Sequence, residues 1–176
     1  MNDHPIEIHA LLPADVHALQ ELSRQTFWET YAASNSMQDM QQYMTEHFSI
    51  PRLTDMLRHK DSVFYASFCD SKITGYIKIN FHQEQTEWKY ENGCEIERIY
   101  VRQPFQGYGI GAALLEKALD NARQRAAAYI WLGVWEHNRK AIRFYERNGF
   151  TAVGTHVFRL GTDEQTDILM KRLLMK

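Results

Sequence analysis

The hydrophobic positions along the chain switch repeatedly between a helical and a two-residue period. Residues 6 to 12 form a short alternating run that predicts a strand, and Pro13-Ala14-Asp15 then opens a helical pattern carrying Val16, Leu19, Leu22 and Phe27 on one side. A second helical pattern begins near Ser36 with Met37, Met40, Tyr43, Met44 and Phe48, stops at Pro51 and resumes with Leu53, Met56 and Leu57. Methionines at this spacing are core filler. From Val63 the period becomes two. Val63 to Cys69 and Ile73 to Phe81, joined by Asp70-Ser71-Lys72, predict a hairpin, whereas Gln83 to Gly93 is polar and carries no strong pattern.

The next stretch is an extended run through Ile99, Tyr100 and Val101, then Pro104, then Gln106-Gly107-Tyr108-Gly109-Ile110-Gly111, and then the helical run from Ala112 to about Ala127. A strand follows from Tyr129 to Trp135. Asn138 caps a helix over Arg139 to Arg147, which Asn148-Gly149 stops. Two last strands, roughly Thr151 to Leu160 and Gln165 to Leu174, flank the polar turn Gly161-Thr162-Asp163-Glu164.

With 176 residues, 44% of them hydrophobic, and no repeat, linker or low-complexity tract, the chain predicts one domain over residues 1–176. Twenty basic against 22 acidic side chains leave a net charge of −2, which provides no overall attraction to nucleic acid or to an anionic membrane. The start of the chain lacks a signal-peptide pattern, and no window approaches the ~18 apolar residues of a spanning helix. Cys69 and Cys94 fit neither a disulfide framework nor a metal spacing. These features predict a cytoplasmic protein. The eight histidines are scattered, so no metal site is expected.

The candidate chemistry begins at the glycines. Gly107, Gly109 and Gly111 leave backbone N–H groups uncovered at a helix start, where the amides and the helix dipole hold phosphate oxygens without a basic side chain. Gly107, Gly109 and Ala112 also satisfy the dinucleotide fingerprint Gly-x-Gly-x-x-Gly/Ala. That unit, however, has an early strand turning directly into its helix, and here Arg102 to Gln106 intervene.

These residues resemble the Gcn5-related N-acetyltransferase (GNAT) superfamily, which transfers acetyl from acetyl-CoA to an amine. One shared motif is Gln106-Gly107-Tyr108-Gly109-Ile110-Gly111, and the second is Asn138, Ala141, Phe144, Tyr145, Gly149 and Phe150. A narrower resemblance, to the PaiA-type bacterial spermidine/spermine N-acetyltransferases, runs through Thr26 to Tyr31, Glu95 to Val101, Ile130 to Glu136 and Asp163 to Asp167. The resemblance implies an α/β (α+β) fold: a central, mixed and mostly antiparallel twisted sheet of about seven strands flanked by helices. It also implies acetyl-CoA as co-substrate, with the amides from Gly107 through Tyr108, Gly109, Ile110 and Gly111 to Ala112 on the diphosphate. Gln106 belongs to the same motif, Ile99, Tyr100 and Val101 would lie along the pantetheine arm, and Asn138 would touch that arm as well as capping its helix.

Tyr145 would be the acid that meets the departing sulfur, on a helix facing the glycine loop's helix across the sheet. The base candidates are Glu95 and Glu97, two apart on one strand and hence on one face, together with Glu29. Against these readings, Phe144-Tyr145 can be an ordinary buried aromatic pair and Glu97 can simply pair with Arg98. A polyamine requires carboxylates and aromatic walls, which Trp28, Glu29, Tyr31, Glu97, Trp135 and Glu136 supply, although Trp28 and Trp135 also suit a core. The expected acceptor is a small-molecule amine, with a protein N-terminus, a lysine or an aminoglycoside-like amine as alternatives. A non-catalytic module that binds acyl-CoA is the competing reading from a different class, and the resemblance leaves a homodimer open.

Overall fold

A computed structural model of the chain describes residues 5–88, 91–160 and 163–174, the last two spans without the side chains of 158–160 and 163. Gly161 and Thr162, in the expected last turn, lie outside it. Seven strands form one sheet: β1 (Glu7–Ala10), β2 (Ser62–Cys69), β3 (Lys72–Phe81), β4 (Gly93–Val101), β5 (Tyr129–Trp135), β6 (Thr151–Leu160) and β7 (Asp163–Leu173). Their order is β1-β2-β3-β4-β5-β7-β6. Every neighbouring pair is antiparallel except β4 and β5. This is the mixed, mostly antiparallel architecture expected from the sequence, and five α-helices are present among the described residues.

Helices α1 (Val16–Tyr31), α2 (Met37–His47) and α3 (Ile50–Arg58) cover one face, where Leu19, Leu22, Phe27, Met40, Phe48 and Leu53 pack with Phe64, Ala66 and Tyr76. Ser36 starts α2 by accepting the Asp39 N–H at 3.1 Å. Pro51 does not stop a helix. The second pattern breaks earlier, at Phe48, and Pro51 sits in the first turn of α3, where its missing N–H would have had no acceptor. The hairpin turn is also tighter than expected: Asp70 and Ser71 alone connect β2 to β3, at φ of 49° and 61°, the left-handed pair of a type I′ turn.

The other face carries α4 (Ile110–Gln124) and α5 (Arg139–Arg147). Ile110, Leu114, Leu115, Ala118, Leu119 and Ala122 form an apolar stripe along α4 that packs on Ile77, Ile79, Ile96, Ile130 and Leu132 of the sheet. Tyr145 and Phe150 join this same cluster. The sequence reading placed α5 across the sheet from α4, and the structure corrects it. The helices share a face, and a Cβ built on Gly111 of α4 would lie only 3.8 Å from the Phe144 ring of α5.

The decisive feature is the β4–β5 junction. The two strands pair in only three positions, Gly93 with Tyr129, Cys94 with Ile130 and Glu95 with Trp131. Beyond these, β4 continues beside β3 and β5 beside β7, so the sheet splits between them. The segment that looked patternless holds the closed end of the split: Gln85 accepts from the Trp131 indole at 2.7 Å, and the Trp88 ring centre lies 4.8 Å from that of Trp131. Gly93 is required here because a Cβ would stand 2.3 Å from the Tyr129 ring. Gly93→Ala should therefore lose about 1–3 kcal/mol of stability in chemical denaturation. Gly154→Ala, whose Cβ would meet Leu169 at an ordinary 3.9 Å, should remain near the parent.

Candidate functional site

After Val101 the chain makes a short 3-10 turn over Gln103–Phe105, extends at Gln106 and enters the glycine loop. Gly107 and Gly109 have φ of 89° and 85°, a region that excludes most side chains, and nothing lies within 4 Å of a Cβ built on either. The first helical bond of α4 runs from the Ala113 N–H to the Gly109 carbonyl. Among the described residues, the backbone N–H groups from Gly107 to Ala112 find no acceptor. Six donors gathered at a helix N-terminus suit an anion.

The predicted residues divide by role here. The Ile110 side chain is core, and the Tyr108 side chain is 61% exposed. The Gln106 side chain is engaged elsewhere, donating to the Val101 carbonyl at 3.1 Å and accepting from Lys140 at 2.8 Å. Gly111 has ordinary helical backbone, and a Cβ on it would meet the Phe144 ring at an ordinary 3.8 Å.

Along the split, Ile99 and Val101 point to the α4–α5 face and Tyr100 to the α1–α3 face. Asn138 caps α5 by accepting the Ala141 N–H at 3.2 Å. Tyr145 is 7% exposed and packs edge-on against Phe144, and its hydroxyl has no hydrogen-bond partner among the described residues. Burial, reinforced by Tyr31, pushes its phenol far up, so it keeps its proton.

The α1–α3 face of β4 carries a buried charge cluster. Lys78 pairs with Arg98 and Ile79 with Ile96, which leaves Glu97 as the extra residue of a bulge, so Glu97 and Arg98 both turn toward this face. Glu97 accepts a short hydrogen bond from Lys78 and another from Asn80, and Arg98 Nη2 lies 3.3 Å from it. The Arg98 guanidinium stacks over Phe48 at 4.7 Å. Burial would raise the Glu97 carboxyl, but the Arg98 and Lys78 charges and these hydrogen bonds outweigh it and hold the group at about 2.

Glu95, on the same face, behaves oppositely. It is 4% exposed and accepts from the Thr86 N–H at 2.7 Å, the Thr86 hydroxyl at 2.6 Å and Asn80 at 3.3 Å. Burial, against these donors and with help from the Glu97 charge, raises it to about 7. Two carboxylates that share one amide donor are thus set far apart in acidity.

Of the aromatic and acidic residues expected around an acceptor, the structure brings Tyr31 and Trp135 together, ring centres 6.5 Å apart, with the Tyr31 hydroxyl 3.4 Å from that of Tyr100. Trp28 stands apart from this pair, 42% exposed. Glu29 is used as a tether. Its carboxylate accepts the Gln103 N–H at 2.7 Å and the Gln25 amide at 3.0 Å, tying α1 to the turn before the glycine loop. The Glu136 side chain is 43% exposed beside His137. Sequence reasoning missed Lys78, Asn80 and Thr86. The signal for the first two was polar residues alternating with Ile77 and Ile79 in a central strand, whereas Thr86 left none.

Residues 23–150 match the Acetyltransferase (GNAT) family model, a span that contains the glycine loop, the split and Tyr145. An uncharacterized N-acetyltransferase in the pepI 3′ region of Lactobacillus delbrueckii subsp. lactis is 37% identical over 170 residues, covering 97% of this chain and 98% of its own. The spermidine N(1)-acetyltransferase of Thermoplasma acidophilum is 27% identical over 154 residues, with 85% and 91% covered. Among solved structures, the PaiA N-acetyltransferase of Thermoplasma acidophilum in complex with coenzyme A superposes with a TM-score of 0.81 at 25% identity, over 97% of this chain and 99% of that one. The free amides of the glycine turn and the parted strands therefore lie in a chain that belongs to the GNAT acetyltransferase family and is an acetyl-CoA-dependent N-acetyltransferase.

Proposed function

We propose that this enzyme acetylates a small cationic amine of the polyamine class by direct attack in a ternary complex. The observation that carries the catalytic part is the Tyr145 hydroxyl on the α4–α5 face, buried, protonated and without a hydrogen-bond partner among the described residues. The polyamine class is supported by the Thermoplasma spermidine N(1)-acetyltransferase relative and by the Tyr31–Trp135 pair, whose ring faces suit an ammonium group.

In this reading the amides of residues 107 to 112 hold the diphosphate. The β4 backbone at Ile99, Tyr100 and Val101, which has no strand beside it across the split, accepts the pantetheine arm as an added strand, with Asn138 at its far wall. The amine nitrogen attacks the thioester carbonyl, the carbon–sulfur bond breaks, Tyr145 donates a hydrogen bond to the departing sulfur, and the proton shed by the new amide nitrogen passes to that thiolate, whose conjugate thiol titrates near ~8.5. Neither cysteine suits a covalent acyl intermediate: Cys94 is fully buried with its thiol pushed up to about 12, and Cys69 lies in β2, outside both motifs.

The amine must first lose a proton. An alkylammonium titrates near ~10.4, so a neutral amine at pH 7 costs about 4.6 kcal/mol. Glu97, the first candidate base, is held as an anion by Lys78 and Arg98, and a carboxylate at about 2 is a weak acceptor. We assign it the fixed negative charge of the bulge and assign the proton to Glu95, whose value of about 7 matches the task.

Four results test these assignments. Tyr145→Phe should lower kcat by about 10- to 100-fold with acetyl-CoA affinity unchanged, and wild-type turnover by that variant from pH 7 to 9 would remove Tyr145 as the acid. In the wild type, kcat/KM should fall with pH below about 7 as Glu95 protonates, and Glu95→Gln should abolish that limb. Stability should show the two carboxylates with opposite signs. Raised from 4.5, Glu95 removes about 3 kcal/mol as pH rises from about 4.5 through about 7, and Glu95→Gln should erase that slope. Glu97 is lowered, so its stabilisation is full above about 4.5 and disappears as pH falls through about 2; Glu97→Gln should cost about 3–5 kcal/mol in urea denaturation at pH 7, by leaving Lys78 buried without its partner. Acetyl-CoA consumption with spermidine, spermine, an aminoglycoside and a peptide panel decides the acceptor, and turnover confined to the peptides would overturn the polyamine reading.

A further inference from the structure

Gly133 lies in the middle of β5, an interior strand, yet it is solvent-exposed between the buried Leu132 and Val134. Solvent therefore reaches the sheet itself at this point. The register places Trp135 opposite Asp167 of β7, and Asp167 opposite His156 of β6. Directly paired residues share a face, so these three side chains form a row across three strands beside the Gly133 opening. A Cβ on Gly133 would stand 3.3 Å from Asp167 Oδ2 and 3.7 Å from the His156 ring.

The row is built from both ends. His156 Nδ1 is held by Glu87 Oε1 at 2.6 Å, which turns Nε2 toward Asp167 at 3.7 Å, long for a hydrogen bond. The Asp167 side chain is 16% exposed, and no other donor among the described residues meets its carboxylate. Burial raises its pKa against the pull of His156, the sign of a carboxylate short of donors. Tyr31, whose ring lies 6.5 Å from Trp135, feels the Asp167 charge. It is also the electrostatic neighbour of the buried Tyr145. A Gln165–Asn35 hydrogen bond of 3.0 Å ties β7 to the segment after α1 at this end of the sheet. Glu97 and Glu29, by contrast, already have their donors.

We propose that the depression over Gly133 is an acceptor subsite in which Asp167, positioned by His156 and Glu87, binds a second ammonium group of the acceptor, so that the enzyme prefers diamines and polyamines to monoamines. This rests on the cationic-amine reading above and adds the residue that enforces it. An ammonium–carboxylate hydrogen bond in a part-buried site contributes about 1.5–3 kcal/mol, or roughly 10- to 100-fold in affinity.

The test is calorimetric binding of putrescine and butylamine, which share a carbon chain, to the CoA-loaded protein. Wild type should bind putrescine about 10-fold or more tightly than butylamine, and Asp167→Asn should reduce that preference to about 2-fold with butylamine and CoA affinities unchanged. Gly133→Ala, which places a methyl group in the depression, should do the same, and it supplies the test if Asp167→Asn does not fold. Equal affinity for the two amines in wild type, or an undiminished preference in the variants, overturns the inference. Initial rates with acetyl-CoA separate the two readings: a preference for putrescine that depends on Asp167, with no amine acetylated, would leave the subsite standing and overturn the polyamine acetylation.

Discussion

The structure depends on the point at which β4 and β5 stop pairing. Two parallel strands that separate inside a sheet each leave a row of backbone N–H and C=O groups facing a gap, and such groups need partners. Three residue pairs hold the strands together. Everything that secures those pairs also sets where the gap begins: the Tyr129 ring over Gly93, the Gln85 clasp on Trp131 and the two Thr86 hydrogen bonds to Glu95. The bulge at Glu97 then bends β4 on the open side. The split is thus held at its closed end by packing and shaped at its open end by a change of register.

The two faces of the sheet differ in chemistry, and the split is where they meet. The α4–α5 face is apolar and contributes Tyr145, whereas the α1–α3 face carries Lys78, Asn80, Glu95, Glu97 and Arg98 within its core. A buried ion pair gives little net stability compared with apolar residues of the same size, because desolvation offsets much of the attraction. Its effect here is on its neighbour. The Glu97 charge, fixed by Arg98 and Lys78, adds to burial in raising Glu95. Removing the donors of Glu97 would therefore disturb Glu95 as well, and the five residues behave as one electrostatic unit.

The sequence announced the elements with strong local signals. The period-two runs of β2, β3 and β5, the capped helix behind Asn138 and the glycine loop all lie where their patterns put them, because each is determined by neighbours in sequence. What it did not reveal depends on contacts between distant segments. The polar stretch from Gln83 to Gly93 shows no periodicity, since Gln85, Thr86 and Glu87 act singly, each on a different strand: Trp131, Glu95 and His156. Glu29 looked available because nothing local indicates that the Gln103 N–H, 74 residues later, will take it. The face shared by α4 and α5 was misread for a related reason. Helix amphipathicity shows that a helix is covered on one side, not which side of the sheet covers it.

The glycine motif likewise contains two kinds of glycine that sequence cannot distinguish. Gly107 and Gly109 are needed for their positive φ, which turns the chain so that successive N–H groups stay uncovered. Gly111, by contrast, has helical backbone and faces the Phe144 ring at a distance where a methyl group would make ordinary contact. That contact links the two motifs physically: Gly111 lies in one, and the Phe144 ring it faces lies in the other. Tyr145, next to Phe144 on α5, is thereby tied to the position of the amide turn. A helix–helix contact therefore connects the amide turn to the helix that carries Tyr145, in addition to the loop that joins β4 to α4.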